Sequence, residues 1–471
     1  MNPSIASLVY ACGIAILFYL DRDKSVRPSK ALWLPVFYLW IIGSRPVSIW
    51  LGVTQPAGND LQLDGSPLDR AVFALLLIMA VGILVRRGPQ TLAFLNANLP
   101  ILIYFSFCLL SVCWSEYPVV ALKRWIKAAG DVAMILIVIT DTQPVAALRR
   151  LYTRIGFILV PISWLFIKYY PNLGRSYDQW TGAQFNTGAA LDKNMLGVIT
   201  FVVLVGIVWS LLTLLRSGEK NPHRGRHLLA EGTLLVLGVS LLITSNSVTS
   251  TVCFCMGAGL LFTTRLQFMR RNKAAVHVLV LSLAVTASSV MLFGGKANVI
   301  QALGRNTTLS GRTEIWKTVT ALAPNPLVGA GFESFWLSPR IHEKLSEAIP
   351  GLPLNEAHDG YIEVYLQLGW VGLCLIGLLL IDAYRRSVRA FRRDPQLGGL
   401  LLAYVLTAMV YSVTEAGFRM MDPIWIFLLL AVIEASAIAA RGSVGASQTL
   451  DKCADWAGEP AGNTLAARPI R

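Results

Sequence analysis

Long apolar runs recur along the whole chain, and they restrict its fold more than any other feature. About twenty consecutive apolar residues are enough for a helix to cross a bilayer, where the helix satisfies all of its own backbone hydrogen bonds. The sequence therefore predicts an all-α, polytopic membrane protein with about 12–13 spans. We place these spans near residues 4–20, 31–50, 68–85, 98–113, 127–140, 151–170, 195–215, 228–245, 248–264, 274–294, 361–384, 397–414 and 424–440.

Composition supports the same class of protein. Apolar residues make up 55% of the 471 residues and charged residues only 14%, and the mean hydropathy is +0.57. These values exclude an ordinary soluble globular protein. The net charge of +14 follows from basic residues in the short connections between spans, so we expect no nucleic-acid partner.

The basic residues also predict the orientation in the membrane. If alternate connections are assigned to the cytoplasm, that side holds 26 of the 41 lysines and arginines. The positive-inside rule then places the N-terminus outside and the C-terminal tail in the cytoplasm. Residues 1–20 lack a basic start and a small-residue cleavage site, so we interpret them as the first span rather than as a signal peptide.

This pattern divides the chain into four parts. Residues 1–294 form the first set of membrane helices, and residues 361–440 form the last set. Between them, residues 295–360 form a large outside loop, which is far longer than an ordinary connection. The tail 441–471 is rich in Gly, Ala, Ser and Pro, and we expect it to be disordered.

The cysteines do not suggest a metal site. Six of the seven lie in apolar spans and Cys453 lies in the tail, while Cys253 and Cys255 are too close in sequence to form a ligand pair on a helix. We therefore expect packing roles for these residues, and neither a metal ion nor a cofactor.

One outside segment carries more positive charge than its side of the membrane favours. Trp114-Ser115-Glu116-Tyr117-Pro118 is followed by Lys123 and Arg124. These cations are suited to binding a phosphate-bearing head group, because arginine presents several donors to phosphate oxygens. The alternative is that they only anchor the chain at the membrane surface, with their charges extended towards water.

A second outside segment combines a cation with aromatic and polar residues. Arg175 and Trp180 precede Asp192 and Lys193 at the start of an apolar run. Polar groups at a helix N-terminus suit an anion, and the aromatic rings are flat enough to stack on sugars. An ordinary loop with Asp192 as a helix cap explains the same residues equally well.

The large loop ends in the best candidate for acid–base chemistry. His358 lies just before the next span, and histidine has the unperturbed pKa best suited to proton transfer near neutrality. Glu356, Asp359 and Glu363 lie near enough in sequence to orient its ring. A structural role for His358 remains the alternative, and His342 is a second candidate in the same loop.

The order of these motifs resembles the O-antigen ligase and Wzy-type polysaccharide polymerase superfamily, and within it the ExoQ-like exopolysaccharide production proteins. The resemblance covers about residues 44–369. Its motifs are Ser44-Arg45-Pro46-Val47-Ser48-Ile49-Trp50-Leu51, Trp114-Ser115-Glu116-Tyr117-Pro118 with Lys123-Arg124, Asp192-Lys193-Asn194-Met195-Leu196-Gly197, Gly311-Arg312 with Trp316, Pro326 with Gly329 and Gly331, and His358 with Gly360-Tyr361, Leu366 and Gly369.

The resemblance implies a GT-C-like, metal-independent glycosyltransferase of the bacterial inner membrane. Such an enzyme moves a glycan from undecaprenyl diphosphate to an acceptor hydroxyl at the periplasmic face. A polymerase uses another lipid-linked repeat unit as acceptor, whereas a ligase uses lipid A-core. Chain-length and export proteins are further expected partners of a polymerase.

The resemblance also implies roles for particular residues. His358 is expected to act as the base that activates the acceptor. Arg124, Arg175 and Arg312, with Lys123, are expected to bind the diphosphate. Orienting or glycan-binding roles fall to Glu363, Asp359, Tyr361, Trp180 and Lys193. This chain departs from the family pattern at Asp359, where Asn is common, and at Val248, where a basic residue is common.

A transporter or flippase for a lipid-linked glycan is the main alternative from another class. Such a protein is expected to contain repeats and ionisable residues along a path through the membrane. Glu434 is the clearest ionisable residue within a late span, and the sequence shows no internal repeat. The large outside loop favours chemistry at the surface over transport. A scaffold role in a polysaccharide export complex is the third possibility.

Overall fold

The computed structural model describes residues 2–23, 26–53, 66–177, 182–216, 223–293, 309–349 and 354–438. Helices dominate these residues. The first are α1 (Pro3–Leu20), α2 (Trp33–Ile42), α3 (Val47–Trp50), α4 (Pro67–Arg86), α5 (Gly88–Ala97), α6 (Leu99–Leu110), α7 (Pro118–Ile139), α8 (Pro144–Tyr169) and α9 (Pro171–Gly174).

A short antiparallel hairpin of β1 (Arg175–Tyr177) and β2 (Gln184–Asn186) follows, with Ser176 opposite Phe185. The later helices are α10 (Lys193–Arg216), α11 (Arg224–Ser245), α12 (Val248–Thr263), α13 (Gln267–Arg271), α14 (Lys273–Phe293), α15 (Leu309–Ala321), α16 (Pro339–Ala348), α17 (Gly360–Arg393), α18 (Pro395–Tyr411) and α19 (Pro423–Ile438).

The helix starts follow from local chemistry. Proline occupies the first turn of α1, α4, α7, α8, α16 and α18, where its missing N–H would have no partner in any case. Asp359 caps α17 by accepting hydrogen bonds from the N–H groups of Tyr361 and Ile362, both at 2.9 Å. Asp394 caps α18 in the same way, as is usual for aspartate at this position.

Seven described helices are long and apolar enough to cross a membrane, and the bent pair Gly88–Ala97 and Leu99–Trp114 makes eight if it is one span. The chain is thus a polytopic, all-α membrane protein. Four of the other predicted spans correspond to apolar helices of 10–17 residues. The fifth corresponds to α7, which carries Lys123, Arg124, Lys127 and Asp131.

The helices form a core surrounded by lipid-facing neighbours. We compared an apolar stretch of 18 residues in each membrane helix. In α10, 78% of this stretch is buried inside the protein, whereas only 11% is buried in α1 and 17% in α14. Tyr152, Tyr404 and Phe427 stack in the centre. Because large apolar side chains of the outer helices remain exposed, the surface of the bundle suits lipid rather than water.

The two ends of the bundle each gather charged residues. At one end, Asp21 contacts Arg149 at 3.4 Å and His227 at 3.1 Å, and Arg149 pairs with Glu231 at 2.6 Å. All four lie in or beside segments that the charge pattern assigns to the cytoplasm. Residues of the predicted outside segments meet at the other end, and the candidate site is there.

The described part of the large loop is folded. The helices α15 and α16 agree with the helical spacing that the sequence shows near residues 312–323 and 339–349. Ile315, Val319, Phe335, Trp336, Leu345, Leu354, Ala357 and Leu366 form a small apolar core of their own. This core joins the loop to the first turns of α17, so the loop lies directly over that helix.

Two glycine motifs lock the loop to α17 through their backbones. The helix is interrupted at Gly369, which has φ +62°. The loop fills the break: Ala330 and Gly331 donate to the carbonyls of Leu366 and Gln367 at 3.0 and 2.8 Å, while Trp370 donates to Pro326 at 2.9 Å. A Cβ on Gly369 would lie 2.2 Å from the carbonyl carbon of Leu327, so only glycine permits this approach.

Candidate active site

His358 lies between two carboxylates at the end of the large loop. Its Nδ1 atom is 2.8 Å from Oε1 of Glu356 and 3.5 Å from Oε2 of Glu415. The backbone of His358 is left-handed, with φ +52°, a conformation that costs energy for a residue other than glycine. The local fold therefore directs this ring towards the two carboxylates at some energetic cost.

The carboxylates change the protonation of the histidine. Burial disfavours the imidazolium, but the interactions with Glu356 and Glu415 outweigh it and raise the pKa of His358 to about 9. Burial also acts to raise the pKa of Glu356, yet His358 and Arg419 lower it overall. At neutral pH the pair is therefore an imidazolium beside a carboxylate.

Two arginines complete this cluster. Arg312 pairs with Glu415 at 3.3 Å and donates to the carbonyl of Thr414 at 2.7 Å. Arg419 lies 3.5 Å from both Glu333 and Glu356. His358, three glutamates and two guanidinium groups thus form one continuous network of ionic contacts.

Arg124 reaches the same network from α7. Its guanidinium donates to the backbone carbonyl of Glu333, and the side chain of Glu333 is buried. Lys123 precedes Arg124 on the same helix and is half-buried. Arg124 and Arg312 thus both reach the His358 network, and their roles in binding a diphosphate stay predictions.

A cavity of about 330 Å³ opens beside this network. Glu333, Glu356, Glu415 and Arg419 line it together with Asp422. Burial raises the pKa of Asp422 to about 8, so this carboxyl is mostly protonated at neutral pH. Apolar residues of α2 and α10 form the other side of the cavity, which is a common composition for a binding site.

Other predicted site residues lie elsewhere. Arg175 lies in the β1–β2 hairpin, and its side chain donates to the carbonyl of Ile167 in α8 at 3.0 Å. The Lys193 ammonium lies 4.0 Å from the ring centre of Phe185 in the same hairpin. Trp180 lies outside the described residues. The contact of Arg175 is thus with α8, and Lys193 lies against the hairpin.

The residues next to His358 in sequence have their own contacts. Asp359 caps α17, as described above. The Tyr361 hydroxyl donates to the carbonyl of Met409 at 3.0 Å. Glu363 accepts from the Trp336 indole at 2.9 Å and from the N–H of Ala357 at 2.5 Å. Glu363 thereby fixes the segment that leads into His358, while Glu356 and Glu415 are the carboxylates that contact its ring.

Parts of this chain are similar to known proteins. Residues 233–377 match the family model described as O-Antigen ligase. The chain is also 27% identical over 302 residues to the exopolysaccharide production protein ExoQ of Rhizobium meliloti (strain 1021), a match that covers 62% of this chain and 66% of that protein. The chain is thus similar to O-antigen ligases over residues 233–377 and to an exopolysaccharide production protein over 302 residues. The resemblance predicted from the sequence motifs is confirmed.

The matched O-antigen ligase segment contains Arg312, His358 and the glycine lock between the loop and α17. Arg124 precedes the segment, and Glu415 and Arg419 follow it. The His358 network is therefore assembled from the matched segment and from parts of the chain on both sides of it.

Sequence reasoning did not single out Glu333, Glu415 or Arg419. Glu415 and Arg419 lie on the connection between α18 and α19, which reads as an ordinary turn after a span. Their spacing, with two charges separated by Ala416-Gly417-Phe418, was the available signal. Charged residues so close to apolar runs are costly unless they are paired.

Three side chains of the His358 network lie close enough together to bind a metal ion. Ligand atoms of Glu356, His358 and Glu415 lie within 4.8 Å of one another. Arg419 and Arg312 already contact the two carboxylates, so positive charge is supplied to them by guanidinium groups. It remains a prediction that this protein works without a metal ion.

Proposed function

We propose that this protein is an inner-membrane glycosyltransferase that polymerises undecaprenyl-diphosphate-linked oligosaccharide units into exopolysaccharide at the periplasmic face. The observation that carries the proposal is the contact of His358 with Glu356 and Glu415 in a network that also contains Arg312, Arg419 and Arg124. The similarity to ExoQ, named as an exopolysaccharide production protein, supports polymer formation as the outcome.

In the proposed reaction, His358 acts as general base. With Nδ1 directed at the carboxylates, Nε2 is the ring atom that accepts the proton of the acceptor hydroxyl. The acceptor oxygen forms a bond to the anomeric carbon of the donor sugar. The bond between that carbon and the diphosphate oxygen breaks, and undecaprenyl diphosphate leaves with the electron pair. Glu356 and Glu415 stabilise the imidazolium that forms, as carboxylates do in other histidine dyads.

The arginines are proposed to stabilise the leaving group. Negative charge increases on the diphosphate as its bond to the sugar breaks, so cations fixed nearby favour the transition state more than the substrate. Arg312 and Arg124 each place a guanidinium at the network, where a diphosphate competes with Glu415 and Glu333 for it. Arg175 and Lys123 remain candidate contacts for more distant parts of the lipid-linked donor.

A ligase is the second candidate, because the matched family model carries the description O-Antigen ligase. The same base and leaving group serve both reactions. The difference lies in the acceptor, which is lipid A-core for a ligase and another lipid-linked repeat unit for a polymerase. A polymerase is further expected to work with chain-length and export proteins.

Complementation of a deletion strain tests the proposal. The strain would carry the wild-type gene, His358→Ala or Glu356→Gln, and secreted polymer and lipopolysaccharide would be separated on different gels. We expect loss of long secreted polymer with intact lipopolysaccharide in His358→Ala. His277→Ala is the matched control, since this exposed histidine lies on α14 and contacts Tyr384.

Each outcome decides between the candidates. O-antigen missing from an otherwise normal lipid A-core would identify a ligase. Full production of both glycans by a stably expressed His358→Ala variant would exclude a catalytic role for His358 and favour the transport alternative.

A further inference from the structure

A second cavity, which the proposed reaction does not use, lies beneath the folded loop. Its volume is about 440 Å³. One wall comes from Trp114 and Glu116, which precede α7, and another from Arg340 and Lys344 on α16. Trp114 belongs to a motif that the sequence marked out, and no step of the proposed mechanism uses this residue.

The walls of this cavity are held in place by hydrogen bonds. The Trp114 indole donates to the carbonyl of Val328 at 3.2 Å, and the hydroxyls of Ser115 and Ser334 are 2.7 Å apart. The Asn325 side chain accepts from the N–H of Leu327 at 2.9 Å. A fixed aromatic ring beside polar groups is a preorganised surface rather than a gap between mobile loops.

The charges in the cavity favour an anion. Arg340 and Lys344 are four residues apart, so they lie on one face of α16, and both are exposed. Neither has an ion-pair partner among the described residues. Glu116 is the one acidic residue of the described lining, so the cavity carries a net positive charge.

The second cavity adjoins the first. Glu333 lines the cavity beside His358, and the next residue, Ser334, lines the second cavity. One residue of extended backbone spans only about 3.5 Å. A ligand long enough to occupy the second cavity therefore lies a few sugar lengths at most from the proposed reaction centre.

We propose that this second cavity binds an anionic saccharide, namely an acidic segment of the glycan that the enzyme elongates. Trp114 presents a flat face to a sugar ring, while Arg340 and Lys344 bind its carboxylate or acidic substituent. This assignment rests on the proposed function, because the glycan must reach the His358 site. It adds the expectation that the elongated polymer is acidic.

Binding measured without turnover tests the assignment. The full-length protein in lipid nanodiscs would be titrated with tetragalacturonate, long polygalacturonate and neutral maltotetraose. We expect the acidic saccharides to bind at least about tenfold more tightly than the neutral one, since two charge-assisted contacts are made only with the acids. Binding of the tetramer would indicate recognition of a single repeat unit, and binding of only the long polymer would indicate recognition of the growing chain.

The double variant Arg340→Ala/Lys344→Ala is expected to weaken acidic saccharide binding by about tenfold or more. Lys317→Ala is the matched control, because this exposed lysine lies on α15 outside the cavity lining. Equal affinity of the double variant and the wild type, or equal affinity for neutral and acidic saccharides, would overturn the assignment. His358→Ala should bind the saccharides normally, so failure of the proposed catalysis and failure of this subsite give different results.

Discussion

At the scale of single residues, the site depends on how carboxylates set the protonation of His358. Glu356 and Glu415 approach the same ring nitrogen from different segments of the chain. Sequence alone pointed to Glu356, Asp359 and Glu363 as possible partners. Of these three, Glu356 contacts the ring in the structure. Asp359 instead caps α17, and Glu363 accepts a hydrogen bond from the N–H of Ala357.

The pH dependence of glycan transfer follows from this arrangement. The pKa of His358 is raised from an ordinary 6.5 to about 9, and a base must be neutral to accept a proton. We therefore expect the wild-type rate to rise with pH, with a midpoint near pH 9, and to level off only about one unit above that midpoint. In Glu356→Gln, loss of the nearer carboxylate should move the midpoint down by about one pH unit. Single-turnover rates across pH would measure both, and a rate that falls as pH rises would contradict the role of base.

Arg419 is expected to matter for stability as well as activity. Its replacement by Ala leaves the buried Glu333 without its ion-pair partner and removes one of the two cations that contact Glu356, which costs about 1–3 kcal/mol in comparable cases. Arg419→Lys retains the charge and should recover part of this loss. Thermal unfolding in detergent, followed alongside polymer synthesis, would measure the effect. Equal melting temperatures for Arg419→Ala and the wild type would show that the pairs contribute nothing.

At the scale of elements, the glycine lock determines where the loop lies. The interruption at Gly369 leaves carbonyls of α17 without partners inside the helix, and the loop supplies the donors. Glu333 lies two residues after Gly331, and its backbone N–H donates to the side-chain oxygen of Gln367 at 3.1 Å. Two motifs that looked independent in the sequence are therefore the two sides of one contact.

Gly369→Ala is expected to disrupt that contact. A left-handed conformation costs an alanine about 1–2 kcal/mol, and the new Cβ meets the backbone of Leu327. We expect lower thermal stability and a severe loss of polymer synthesis. Gly377→Ala is the control on the same helix, because a Cβ there meets no atom within 4 Å. Similar behaviour of the two variants would show that the lock is unimportant.

At the scale of the whole molecule, the orientation of the protein in the membrane stays a prediction. Segments assigned to opposite sides by their basic residues meet at opposite ends. Accessibility to a membrane-impermeant maleimide would test the orientation itself. We expect Lys344→Cys to react in intact cells and Arg270→Cys to react only after lysis, with the unmodified chain as the background. Both positions are exposed, and the reverse pattern would invert the assignment.

The sequence was most informative where chemistry is local. Apolar length predicted the membrane class, and the polar segment around His358 indicated the candidate site. What it did not provide were contacts between distant segments, such as Glu415 with His358 or Arg419 with Glu333. These depend on how α18 and α19 pack against the loop, which no local pattern encodes. Arg175 illustrates the converse, since its promising sequence context leads to a side-chain contact with the carbonyl of Ile167 in α8.

The position of Glu415 and Arg419 after α18 also has a consequence for biosynthesis. The helices of a nascent chain are inserted into the bilayer in sequence order, so the loop that contains His358 is synthesised before these two residues. Until α18 and the following turn have been inserted, His358 lacks one carboxylate and Glu356 lacks its guanidinium partner. Under the proposed mechanism, a nascent chain is therefore inactive until α18 and the turn that carries Glu415 and Arg419 have been inserted.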